Sequence, residues 1–117
     1  MTLPSFPLWS DAPEPALLAS RDLQTRELLF PAVPPDSPLA VRHETVAIAP
    51  AGAVYSFTVI HPAPKSGEAP YALCYVDFPG PVRLFGRLQG APRPAIGERV
   101  ATRRDERFGY VFETLRP

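Results

Sequence analysis

The sequence predicts an all-β protein: a closed, five-stranded barrel of short strands, preceded by an irregular N-terminal segment. Three observations carry this. Seventeen of the 117 residues are proline, and each lacks an N–H and clashes with the preceding helical turn, which leaves little room for long helices. From residue 45 onward the chain runs in short stretches rich in Val, Ile, Tyr, Phe and Thr, separated by Pro- and Gly-bearing turns. Within those stretches apolar side chains recur every second residue, as on a sheet with one buried face. Apolar residues make up 45% of the chain, which is enough for one core at this length.

Residues 1–15, "MTLPSFPLWSDAPEP", read as an extended arm. Phe6, Leu8 and Trp9 are large apolar groups suited to anchoring such an arm on its own domain or on a partner. Residues 16–30, "ALLASRDLQTRELLF", admit two readings. One is a helix by propensity; the other is two short strands, Leu17–Arg21 and Glu27–Phe30, around a turn. Periodicity does not decide between them. The stretch Asp22–Leu39 carries four prolines, at 31, 34, 35 and 38, and buries too little surface to fix its own shape.

The barrel is expected over residues 45–117, with residues 1–44 as arm and N-terminal segment. "TVAIAPAGAVYSFTVIH" opens it, with Pro50 and Gly52 marking a bend or bulge and Tyr55, Phe57 and Val59 on one face by period two. "PAPKSGEAP" (62–70) is a loop by composition. In "YALCYVDF" (71–78), Ala72, Cys74, Val76 and Phe78 share a face that should be buried. "PGP" turns into "VRLFGRL" (82–88), with Val82, Leu84 and Leu88 on one face and Arg83, Phe85 and Arg87 on the other. "QGAPRPAIG" connects to "ERVATRR" (98–104), and "FGYVFETL" (108–115) closes. Five short strands at this spacing fit an OB-like barrel, which largely removes exposed edges.

Formal net charge is zero, but unevenly spread. Residues 1–60 hold three Arg against six Asp/Glu; residues 61–117 hold one Lys and eight Arg against six Asp/Glu. Arg suits bidentate contacts to carboxylate or phosphate, although a solvated polar surface accounts for the same residues. The single cysteine, Cys74, excludes an internal disulfide framework and fits a reducing compartment. No basic segment followed by an apolar run opens the chain, and no apolar run approaches membrane-spanning length. These features predict a cytoplasmic protein without a membrane segment.

"GAVYSFTVIHPAP" (52–64), "PYALCYVDF" (70–78), "RLFGRL" (83–88) and "IGERV" (96–100) resemble, in order and spacing, the OB-fold proteins that follow a rubredoxin-like zinc ribbon and partner thiolase-like and other acyl-CoA enzymes. The resemblance covers about residues 17–117. In that family the ribbon reads Cys-x-x-Cys-Gly, then Phe-Pro-Pro, then Cys-x-x-Cys, with four thiolates on one zinc. Aligned on Phe30–Pro31, the four cysteine positions fall at Asp22, Thr25, Asp36 and Leu39, and the glycine position at Arg26. None carries a thiol, so the segment resembles a zinc ribbon stripped of its ligands. Two hard carboxylates and a Thr, even with His43 added, make a poor zinc site, and no metal is expected. The lost zinc must be offset. The prolines lower unfolded-state entropy, and Leu28, Leu29, Phe30, Val33 and Leu39 can pack on the barrel or on a partner.

No self-sufficient active site is visible. His61 ends a strong strand without a nucleophile or paired carboxylate. Cys74 reads as a core thiol, and Asp77 with Arg83 as a cross-hairpin pair. Phosphate-loop, Ser-His-Asp and two-His metal motifs are missing. The resemblance implies a non-catalytic accessory subunit of a thiolase-like enzyme, or of an aldolase or hydratase, acting on acyl-CoA, with no cofactor of its own. The expected partner-binding residues are Phe6, Leu8, Trp9, Leu28, Leu29, Phe30 and Val33. Arg83, Phe85, Arg87 and Arg93 are expected to meet coenzyme A phosphates or an acidic partner surface. The other reading, a single-stranded nucleic-acid-binding OB module, has the Arg and aromatics it needs. Zero net charge argues against it.

Overall fold

The ambiguous residues 16–30 form two short strands around a turn. The structure, a computed structural model, describes residues 8–11, 14–90 and 93–115. In it β1 (Leu18–Asp22) lies between β2 (Leu28–Leu29) and β3 (His43–Ala47) in a three-stranded antiparallel sheet. A helix fails here because the Asp22 side chain offers the backbone a local alternative. Its Oδ1 accepts the N–H groups of Gln24 and Thr25 at 2.8 and 2.9 Å. Arg26 then takes the left-handed conformation, φ 69°, and the chain turns back into β2.

The proline-rich return from β2 to β3 is tied to β1. The Val33 N–H donates to the hydroxyl of Ser20, a buried residue. The Ser37 hydroxyl accepts the Leu39 N–H at 3.2 Å and starts a 3-10 turn, Pro38–Arg42. Trp9, Leu17, Ala19, Ala32 and Ile48 are buried, with Trp9 bridged to Leu17.

The chain divides into two compact units, Met1–Pro50 with Pro79–Val82, and Ala51–Phe78 with Arg83–Pro117. Thr45–Ala47, read from the sequence as the run-in to the barrel, therefore pairs with β1, Ala47 opposite Leu18.

The barrel is closed and five-stranded. Its strands are β4 (Ala51–Ile60), β5 (Tyr71–Phe78), β6 (Val82–Gln89), β7 (Arg99–Asp105) and β8 (Gly109–Thr114), in the order β4-β5-β6-β8-β7. β6 and β8 run parallel, Leu88 opposite Phe112. β4 and β7 close the ring antiparallel, Gly52 opposite Val100. This is the OB-type barrel the strand spacing predicts. Ala72, Cys74, Val76 and Phe78 of β5 are buried as expected, with Leu84, Leu88, Val100, Val111 and Phe112. A Cβ at Gly52 would stand 2.5 Å from the Asp77 carbonyl oxygen and 2.9 Å from Val76 Cγ1, so only glycine lets β4 approach β5 there.

The expected face of β4 needs correction. The β4–β5 register shifts between Val54 and Ser56. Val54 opposes Val76, while Phe57 and Val59 oppose Cys74 and Ala72. The extra residue, Tyr55, is half-exposed. One bulged residue thus changes the phase of the alternation, and Tyr55 does not share a face with Phe57 and Val59.

Candidate functional site

The outer face of the barrel is built by alternation. Because Ala72, Cys74, Val76 and Phe78 face the core, Tyr71, Leu73, Tyr75 and Asp77 of β5 face outward. On β6, Leu84 and Leu88 face in, and Arg83, Phe85 and Arg87 face out. Arg83 forms a fork on Asp77, Nε to Oδ1 at 2.6 Å and a terminal nitrogen to Oδ2 at 3.1 Å. That hydrogen bonding raises the Arg83 pKa. The same guanidinium lies 3.5 Å from the Tyr55 ring centroid. Four residues further along β6, Arg87 sits 3.8 Å over Tyr71 and 5.6 Å from Phe108. Tyr75 and Phe85 pack with centroids 4.8 Å apart. The Tyr110 hydroxyl donates to the Phe85 carbonyl, and burial pushes the Tyr110 pKa up.

The result is a surface of rings and guanidiniums that hold one another in place. Tyr55, Tyr75, Phe85 and Phe108 are each about half-exposed. A cleft of about 710 Å³ opens beside Arg87, lined by Tyr71, Gln89, Arg107 and Phe108 among others. Its rim is shaped by Asp105, whose Oδ2 accepts the N–H groups of Arg107 and Phe108 at 2.9 and 2.7 Å. A smaller hollow of about 230 Å³ adjoins it, lined by Leu73, Phe85, Gly86 and Tyr110. Such a surface can stack planar groups and hold anions between them.

Of the four residues expected to meet phosphates or an acidic partner, Arg83, Phe85 and Arg87 share this face. Arg93 lies elsewhere, 5.3 Å from the Phe57 ring. Sequence reasoning missed Tyr71, Tyr55 and Phe108. The signal for Tyr71 was present, since it is out of phase with the buried residues of its own strand. Its meeting with Arg87 depends on inter-strand register, which the alternation does not fix. Phe108 precedes β8 and joins the face through the Asp105 turn.

The residues expected to anchor a partner lie in the N-terminal unit. Leu8 and Val33 line an apolar cleft of about 430 Å³ with Pro31, Ala32, Pro34 and Leu39. Leu29 is 45% exposed; Leu28 and Phe30 are half-buried. Trp9, at 7% exposure, is a core side chain here. Phe6 lies outside the described residues. His61 is exposed just beyond β4. Cys74 is buried, and desolvation pushes its pKa up to about 11.

Of the four positions that the resemblance matches to zinc ligands, three have their side chains engaged otherwise or carry none that could bind a metal. The Asp22 carboxylate is engaged by backbone N–H groups, the Thr25 hydroxyl accepts the Glu27 N–H at 3.3 Å, and the Leu39 side chain has no donor atom. Among the described residues, no three His, Cys, Asp or Glu side chains are grouped to hold an ion. Nor is any helix among them long and apolar enough to cross a membrane.

Comparison with known proteins places these features in context. The family described as the ChsH2 C-terminal OB-fold domain matches residues 45–104, just over half of the chain. Among solved structures, one described as "Ltp2-ChsH2(DUF35) aldolase" superposes with a TM-score of 0.64 and 30% sequence identity, covering 85% of this chain and 84% of that one. No curated protein sequence matches.

Proposed function

The chain belongs to the ChsH2 C-terminal OB-fold domain family, and on that premise we propose that it is a non-catalytic accessory subunit of an enzyme acting on acyl-CoA substrates. The observation that carries this reading is the 30% identical relative, matched over most of both chains, whose description joins a DUF35 protein to an aldolase. An aldolase is thus favoured over a thiolase-like enzyme or a hydratase as the partner class. The subunit works in the cytoplasm, in a hetero-oligomer. Its apolar N-terminal cleft and Leu29 supply anchors that exclude water at the contact. The ring-and-guanidinium face of β5 and β6 meets an acidic surface of the partner or the phosphates and adenine of coenzyme A.

Nucleic-acid binding is the weaker alternative. Phosphate contacts dominate that affinity, and here Arg83 is paired with Asp77 and Arg103 with Glu113, on a chain of zero net charge. The test is co-purification of the tagged full chain from its own cell lysate, followed by reconstitution with the protein that travels with it. The expected partner is an acyl-CoA enzyme that forms a defined complex, while the isolated chain turns over no acyl-CoA thioester. Turnover by the chain alone, or tight binding of generic oligonucleotides with steep salt dependence, overturns the reading.

A further inference from the structure

The two turns of the N-terminal sheet converge on His43. One is the Asp22 turn. Besides the side-chain bonds to Gln24 and Thr25, the Arg26 N–H donates to the Asp22 carbonyl and the Asp22 N–H to the Glu27 carbonyl, both at 2.8 Å. The other is the 3-10 turn Pro38–Arg42. His43 opens β3 directly opposite Asp22 on β1. Its Nδ1–H donates to the Leu39 carbonyl at 2.7 Å, and Nε2 lies 3.9 Å from Asp22 Oδ2. The imidazole is 7% exposed although it sits among polar turns. Leu23 adds a backbone bond across the same gap, its N–H to the Arg42 carbonyl at 2.9 Å.

We propose that His43 is a metal-free clasp, one side chain that joins the Asp22 turn to the Leu39 turn and so replaces the bound ion of a zinc ribbon. Three features support the replacement. Asp22 and Leu39 occupy the first and last of the four ligand positions read from the sequence, and the imidazole spans those two. The Asp22 carboxylate draws two consecutive N–H groups into its turn, which closes the turn without a metal. Arg26 stands where the ribbon pattern has glycine and takes the left-handed conformation that glycine ordinarily serves.

The test uses the full chain and residue-resolved amide hydrogen exchange. In His43→Ala, amides of both turns (Thr25, Arg26, Ala40) should exchange about tenfold faster, while Val76 and Val111 in the barrel keep their protection. Unchanged exchange at both turns overturns the proposal, and so does loss of protection throughout the chain. A second variant carries Asp22→Cys, Thr25→Cys, Asp36→Cys and Leu39→Cys together with His43→Ala. It should bind one zinc, and zinc should restore the protection of both turns that His43→Ala removes. Failure to bind zinc, or binding without restored protection, overturns the equivalence of clasp and ion.

Discussion

The Val33 N–H donates to the Ser20 hydroxyl at 2.7 Å, and Ser20 is 1% exposed. This bond holds the proline-rich stretch against the central strand of the N-terminal sheet and sets the wall of the apolar cleft, to which Val33 belongs. Ser20→Ala removes the acceptor and leaves the amide without it. The expected cost is about 1–3 kcal/mol, read as a lower denaturation midpoint of the N-terminal unit, with the cleft loosened at Val33. An unchanged midpoint would assign the shape of this segment to its prolines alone.

The Asp22 turn should be sensitive to acid. Hydrogen bonds from the Thr25 and Gln24 N–H groups hold the Asp22 carboxyl below its ordinary value; burial opposes them, and the charges of His43 and Arg42 add the least. A carboxyl with a depressed folded pKa contributes stability above its unfolded pKa, about 3.9, and loses it as pH falls through the folded value. The Asp22 carboxyl carbon shift, followed by NMR, should titrate below the free-aspartate range. Amide exchange at Thr25 should quicken relative to the barrel over the same interval.

Cys74 should be silent to thiol reagents in the native state. Desolvation first, and the Glu98 charge second, raise its pKa from 9.0 to about 11. A raised thiol pKa means that the folded state holds the proton more tightly. Its stabilising effect is complete below the unfolded value of 9.0 and is lost as pH climbs towards about 11. Labelling at pH 7–8 should therefore follow global unfolding and not local access. Rapid modification of native protein would contradict the core assignment of β5.

The barrel was legible because its signal is local. Alternation in Tyr71–Phe78 and Val82–Gln89 reports burial directly, and the structure keeps both phases. Tyr55 was misplaced because a bulge adds one residue without any change in composition; Val-Tyr-Ser reads the same in a regular strand. Residues 16–30 were ambiguous because helix propensity there is real and is overruled by one carboxylate at Asp22. The paired Asp77 and Arg83 were visible across a short hairpin. The stacking of Arg87 on Tyr71 needed the register between β5 and β6. The cleft of Leu8, Val33 and Leu39 joins residues far apart in sequence, through N–H bonds to the Ser20 and Ser37 hydroxyls that no periodicity announces.

The outer face of the barrel yields the prediction that separates its possible occupants. Phe85 and Tyr75 form an exposed ring pair, and large rings closed off from water at an interface carry much of its energy. Phe85→Ala should weaken the complex with the partner enzyme by about 2 kcal/mol, close to thirtyfold, mainly through faster dissociation. Arg83 behaves differently. Asp77 already neutralises it, so Arg83→Ala should change affinity little and act on the association rate, with an effect that shrinks as salt rises. Arg87, held by rings rather than by a carboxylate, should fall between the two. Binding kinetics of the three variants at low and high ionic strength give the order directly. If the arginine variants lose most affinity and the loss tracks salt, the face reads phosphates and the nucleic-acid alternative gains. If Phe85→Ala dominates at every salt concentration, the face is an apolar anchor whose guanidiniums serve to hold its rings in place.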